Sequence, residues 1–181
     1  MGYTPLAGLV MGTRSGDVDP SIVTHLITSH GYSPEEIDWV LNHEAGLLGM
    51  TGHADMRQVL EAAEAGHRNS RIALGVATYR IAKYVGGYHV AVGGAQALAF
   101  TAGIGENSAP FRAKVLDRLE VLGIEYDHEL NMQRCEEPRL ISTEDSAIAV
   151  AVVPTDEEMA IAQETFRLID ASEAWGQGTD A

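Results

Sequence analysis

A short apolar run, Ala97-Leu98-Ala99-Phe100-Thr101, leads directly into Ala102-Gly103-Ile104-Gly105-Glu106-Asn107, and a helix start follows at Ser108-Ala109-Pro110. The run is too short for a helix and suits a buried strand. The helix beyond it places Phe111, Val115, Leu119 and Leu122 on one face and stops at Gly123. A strand, a glycine turn and a helix in that order define an α/β unit. The chain then repeats the alternation: 139–142 and 148–153 read as strands, and 155–169 as a closing amphipathic helix, with a frayed tail from Ser172. Three strands are few for a sheet of this class, so the expectation is an α/β domain lacking some of its strands.

The upstream half is helical. Residues 1–17 form a loop region punctuated by Gly2, Pro5, Gly8, Gly12 and Gly16. Asp19-Pro20 starts a helix whose apolar stripe is Ile22, Val23, Leu26 and Ile27, ending at Gly31. Ser33 and Glu36 form a capping box for a second helix that buries Ile37, Val40 and Leu41. Residues 46–52 read as a glycine-rich loop carrying His53, Asp55 and Arg57 into a helix over 58–65. Residues 71–97 predict a long helix covered on several sides. Gly86, Gly87, Gly93 and Gly94 each weaken that helix by about 1 kcal/mol relative to alanine, which predicts a second backbone packed close to them.

Charge narrows the function. Twenty-six acidic against twelve basic residues leave a net charge of −14, which repels nucleic acid. The same field repels ATP, so a nucleotide site here needs local devices: backbone N–H groups, an arginine or a divalent cation. No apolar run reaches the roughly 20 residues of a membrane span. Cys135 is the only cysteine, and its neighbours Glu136 and Glu137 oppose thiolate formation. A cytoplasmic protein without a membrane role is expected.

Four stretches can carry chemistry, and each has a plain structural alternative. Residues 101–107 can bring backbone N–H groups against a phosphate, or simply make a tight strand-to-helix turn. Gly12-Thr13-Arg14-Ser15-Gly16-Asp17 places one arginine where it can meet a phosphoryl group, or pair with Asp17 or Asp19. In Pro154-Thr155-Asp156-Glu157-Glu158, Thr155 as N-cap makes Glu158 the capping-box partner and leaves Glu157 either to hold Mg²⁺ or to offset the helix dipole. In Asp55-Met56-Arg57, a carboxylate can accept from a ribose hydroxyl and a guanidinium can stack on adenine. His43, Glu44, His53 and Asp55 match no zinc spacing.

Taken together, these stretches with Met1-Gly2-Tyr3-Thr4-Pro5-Leu6 and Gly46-Leu47-Leu48-Gly49 resemble the acetate kinases in content and order, from Met1 to about Ile169. The resemblance implies the sugar kinase, Hsp70 and actin superfamily, in which two ribonuclease-H-like domains close over a nucleotide. It implies Mg²⁺-dependent transfer between ATP and acetate, with Mn²⁺ as an alternative cation, giving ADP and acetyl phosphate. It implies Arg14 as the transition-state arginine, Asp55, Met56 and Arg57 as adenosine-side contacts, Gly103, Ile104, Gly105, Glu106 and Asn107 as the nucleotide loop, and Glu157 as the metal carboxylate. On this resemblance residues 1–155 are the rear of a C-terminal nucleotide-binding domain, 156–170 a helix packing toward an absent first domain, and 171–181 a frayed tail. The resemblance further implies pairing as a homodimer. Two other expectations stand beside it: a nucleotide-binding or dimer-forming module without turnover, and a propionate or butyrate kinase.

Overall fold

In the computed structural model, residues 2–134 and 136–176 are described, with the backbone alone for Glu157 and for 170–176. Cys135 lies outside the described residues. Three short strands form a mixed sheet: β1 (Ala97–Phe100), β2 (Arg139–Leu140) and β3 (Ala149–Val152), in the order β1-β3-β2. β1 runs parallel to β3, from Ala97 opposite Ala149 to Phe100 opposite Val152, and Val153 N donates to Phe100 O at 2.8 Å. β2 is antiparallel to β3. Val150 and Val152 are buried while Ala149 and Ala151 are half-buried, the period-two signature of a strand with one covered face. The second strand is shorter than the sequence predicts: Ile141 N still donates to Val150 O at 2.8 Å, but beyond that the chain takes a new partner. Ile141 O accepts from Asp127 N, and Ser142 bridges Tyr126.

Helices α1 (Ser21–His30), α2 (Pro34–Trp39), α3 (Gly46–Thr51), α4 (Met56–Glu64) and α5 (Arg68–Ala91) precede the sheet. The capping box of α2 forms as expected, with Ser33 Oγ accepting from Glu36 N and Glu36 Oε2 accepting from Ser33 N, and Ile37 is buried. In α1 the apolar stripe is only partly covered: Val23 and Leu26 are half-buried, and Ile22 and Ile27 are exposed. A single π turn, Val40–Glu44, extends α2.

Residues 46–51 are a helix rather than part of the expected loop. Their glycines serve a close approach: Gly46 has φ +61°, and a Cβ there would collide with the Met11 and Arg14 carbonyl oxygens. Gly52, at φ +82°, closes α3 with its N–H on Leu48 O. Helix α5 also differs from expectation. It buries one face, through Ser70, Ala73, Leu74, Ala77 and Thr78, and leaves Ile72 and Tyr79 exposed. No described atom lies within 4 Å of where a Cβ would stand on Gly86 or Gly87, so close backbone packing does not account for them. Gly93 and Gly94 instead end the helix region with φ of +74° and +108°.

After β1 the chain forms α6 (Ala102–Asn107) and α7 (Ala109–Leu116), then a 3₁₀ turn at Glu120–Leu122, α8 (His128–Met132) and finally α9 (Glu157–Gly176). The helix predicted to run to Gly123 therefore stops at Leu116, although Leu119 remains buried. Helix α9 continues to Gly176, past the expected end at 170, so 171–176 are helical rather than frayed. Met159, Ile161, Phe166 and Leu168 on it are exposed.

One core joins these pieces, with Leu47, Val59, Leu74, Val115, Ile141 and Val150 among its members. Leu47, at 1% exposure, links α3 to that core, so Leu47→Ala is expected to lower stability by about 2–4 kcal/mol, read from urea unfolding.

Candidate functional site

Parallel pairing brings the C-terminal ends of β1 and β3 side by side, where open α/β sheets place their ligands. At the end of β1, Thr101 is extended and Ala102 takes φ +58°, the only described non-glycine residue with positive φ. An L-residue in this region carries about 1–2 kcal/mol of strain. The turn then becomes α6 at once. Its two glycines do different work. A Cβ on Gly105 would sit 3.3 Å from the Phe100 carbonyl carbon, so this glycine lets the helix lie against the strand end. A Cβ on Gly103 would meet nothing within 4 Å, which leaves backbone open to a ligand. Asn107 Nδ2 donates to Gly103 O at 3.0 Å, and Ile104 is exposed.

Glu106 ties this turn to the neighbouring strand end. Its Oε1 accepts from Thr155 N at 2.8 Å and from Thr155 Oγ1 at 2.7 Å, and these bonds hold its carboxyl below the usual range. The expected capping box at Thr155 therefore does not form. Asp156 starts α9 instead, its Oδ1 accepting from Met159 N at 2.8 Å. Glu158 has no capping role to separate it from Glu157. The backbone of Glu157 opens α9, and its side chain lies outside the described residues.

Behind the turn stands a residue the sequence reading missed. Arg112, 1% exposed, donates from Nη1 to Gly105 O at 2.9 Å and to Glu106 O at 2.7 Å, and from Nε to Asn131 Oδ1 at 2.8 Å. All its partners are neutral, so a buried positive charge sits directly beneath the loop. Its position among Phe111, Val115 and Leu116 on a largely buried helix was the available signal. A cavity of about 480 Å³ opens beside the loop, lined by Glu106, Asn107, Arg134, Glu136, Val152 and Pro154.

A second cluster carries Arg14. Leu47 N and Leu48 N, at the start of α3, donate to Met11 O and Gly12 O, both at 2.9 Å, and Ala45 N donates to Thr13 O at 3.0 Å. The helix start thus grips the arginine loop by its carbonyls. The loop's other end is fixed by Asp17, which accepts from Gly8 N at 2.7 Å and from the Tyr84 hydroxyl. Those two bonds, the tyrosine first, lower the Asp17 carboxyl. Asp19 Oδ1 accepts from Ser21 N. Both acids that could have paired with Arg14 are therefore engaged elsewhere, and Arg14 is exposed with no ion pair among the described residues.

Gly12 abuts the Ala54 carbonyl, which brings the arginine loop against the turn that bears Asp55. Asp55 caps α4, Oδ1 accepting from Arg57 N at 2.8 Å, and holds the Arg57 guanidinium through Nε at 3.1 Å and Nη2 at 2.6 Å. The Arg57 side chain is 84% exposed and presents a free planar face. Met56 differs from its expected role: it is 5% exposed and belongs to the core, so its side chain points away from this surface. His43 stacks on Trp39 and Glu44 accepts from Trp39 Nε1. Among the described residues no three His, Cys, Asp or Glu side chains converge as a metal site, and no helix is long and apolar enough to cross a membrane.

The α/β fold with its small mixed sheet and strand-end turn is that of proteins built on the actin-like ATPase plan. A family model described as the acetokinase family matches residues 1–163, and the chain belongs to that family. It is 63% identical over 173 residues to the acetate kinase of Micrococcus luteus, covering 93% of this chain and 45% of that protein. The crystal structure of Porphyromonas gingivalis acetate kinase superposes with a TM-score of 0.86 at 40% identity, over 93% of this chain and 43% of that one. A propionate kinase from Francisella tularensis superposes at 0.85 with 43% identity, over 91% and 42%. The chain spans less than half the length of these relatives.

Two outcomes test this geometry. Ala102→Gly relieves the left-handed strain and should raise stability by about 1 kcal/mol in thermal unfolding. Asp55 is held down to about 2 by the side chain and then the backbone N–H of Arg57, against an ordinary 3.8. Its stabilising effect is therefore complete above pH 3.8 and lost as pH falls toward 2, and a carboxyl carbon titration by NMR should place its midpoint near the lower value.

Proposed function

We propose that the chain supplies the nucleotide-binding portion of an acetate kinase, ATP plus acetate giving ADP plus acetyl phosphate. The observation that carries this reading is Arg14, exposed and free of the two nearby acids, on a loop whose backbone is clamped at both ends. Acetate is already a carboxylate, so its oxygen attacks the γ-phosphorus without a general base. The new P–O bond forms as the bond to the ADP oxygen breaks. What the reaction needs is cationic charge where two anions meet, and an exposed guanidinium without an ion pair among the described residues would supply it. Arg57 offers its face to adenine, and Asp55 orients Arg57 through both carboxylate oxygens, so a ribose hydroxyl would share an oxygen with that guanidinium. Gly103, Ile104, Gly105 and Asn107 face the phosphates and nucleotide, with Glu106 serving them as a strut through Thr155.

A divalent cation, Mg²⁺ or in its place Mn²⁺, would offset phosphate charge. Glu157, whose backbone opens α9 beside the end of β3, would supply the hard carboxylate oxygen such an ion takes. The fold we propose is a ribonuclease-H-like domain continued elsewhere in the full protein, with α9 packing toward the first domain. The exposed apolar residues of α9 support that contact, and exposed Tyr88, Val90 and Val92 around the end of α5 support homodimer formation. The similarity to a propionate kinase keeps a longer acid in view.

The test is phosphotransfer by this chain combined with the front portion of a close relative, assayed with acetate and propionate. The isolated chain should be inactive, and turnover by it would contradict the partial role. In the combined enzyme Arg14→Ala should lower kcat by about 10²–10³-fold and leave ATP affinity within about twofold. Glu157→Gln should raise the Mg²⁺ requirement. An unchanged rate in the first variant would remove Arg14 from the chemistry.

A further inference from the structure

A second cavity, of about 500 Å³, lies between α4, α5 and the end of α7, and shares no lining residue with the cavity beside the nucleotide loop. Arg71, Lys114 and Arg118 line it, three of the chain's twelve basic residues gathered at one place on a protein of net charge −14. None of the three makes an ion pair among the described residues. Arg71 Nη2 donates to Gly66 O at 2.7 Å and Arg118 Nε to Thr78 Oγ1 at 2.8 Å, so neutral oxygens orient both guanidiniums, and neither makes an ion pair with a described carboxylate. Thr78 is 2% exposed and fixed in turn to Leu74 O at 2.8 Å. The Arg118 head is thus pre-positioned by a buried group.

Two acids also border the cavity. Asp117 accepts from the Tyr126 hydroxyl at 3.0 Å, which directs one of its oxygens elsewhere, and Glu64 stands near the C-terminal end of α4. Leu60 and Leu74 make an apolar wall. The floor is Gly75, where a Cβ would meet nothing within 4 Å, so the helix keeps the space open at the cost of a poor helix former. The volume suits a small metabolite.

We propose that this cavity is a binding site for a small organic oxyanion, a phosphate ester or polycarboxylate with a compact apolar body, separate from the nucleotide site. The cations hold the anionic head and the leucine wall holds the body, while Glu64 and Asp117 exclude larger anions that would reach the rim.

The experiment titrates the 181-residue chain with phenyl phosphate and with citrate at low ionic strength, following backbone amides by NMR. Saturable shifts at Gly75, Thr78 and Arg118 with either probe are expected, the better probe telling phosphate ester from polycarboxylate. Gly75→Met, which fills the floor, and Lys114→Glu should each weaken binding by about tenfold. Arg57→Ala, on the nucleotide side, should leave it unchanged. If Gly75→Met fails to fold, Arg71→Glu takes its place. Absence of saturable shifts with both probes, or unchanged affinity in the cavity variants, would overturn the proposal.

Discussion

Everything near the candidate site depends on the parallel pairing of β1 with β3. Parallel strands end at the same edge, so the residues after Phe100 and after Val152 emerge side by side although about fifty positions separate them. That coincidence lets Glu106 reach Thr155, and with it the end of α6 and the start of α9 are joined at one corner. Antiparallel pairing would have sent the two turns to opposite ends of the sheet. The buried Arg112 then fixes the corner from below through the Gly105 and Glu106 carbonyls.

The arginine loop is held by the opposite kind of contact. There the chain lends its carbonyls to the unpaired N–H groups at the start of α3, and Gly46 makes the approach close enough. Tyr84 draws Asp17 onto α5 and so removes the acid that would otherwise neutralise Arg14. Arg14 thus stays exposed while the backbone that carries it is held, the arrangement on which its proposed role rests.

Much of this was legible in the residues. Ser33 and Glu36 specify their capping box locally, and the strand, turn and helix around Phe100 follow from apolar length and glycine placement. What failed was long-range. Thr155 looks like an N-cap until a glutamate 49 residues away takes its hydroxyl and N–H, leaving Asp156 to cap the helix. Residues 46–52 look like a loop because three of the seven are glycines, yet Gly46 answers a contact with Met11 and Arg14, Gly49 one with Glu44, and Gly52 caps the helix. Met56 sits within a motif of polar neighbours, and only the direction of α4 reveals that it faces the core. Arg112 carries no local mark of burial beyond its apolar company.

The Glu106–Thr155 bond has a mechanical consequence. Thr155 lies one residue before the cap of α9, a helix of 20 residues and therefore about 30 Å long. A tilt of about 10° at its base would carry the far end through about 5 Å, given that length. The corner is thus the short arm of a lever, and a rearrangement of α6 too small to alter its own hydrogen bonds would be magnified at the opposite end of the helix.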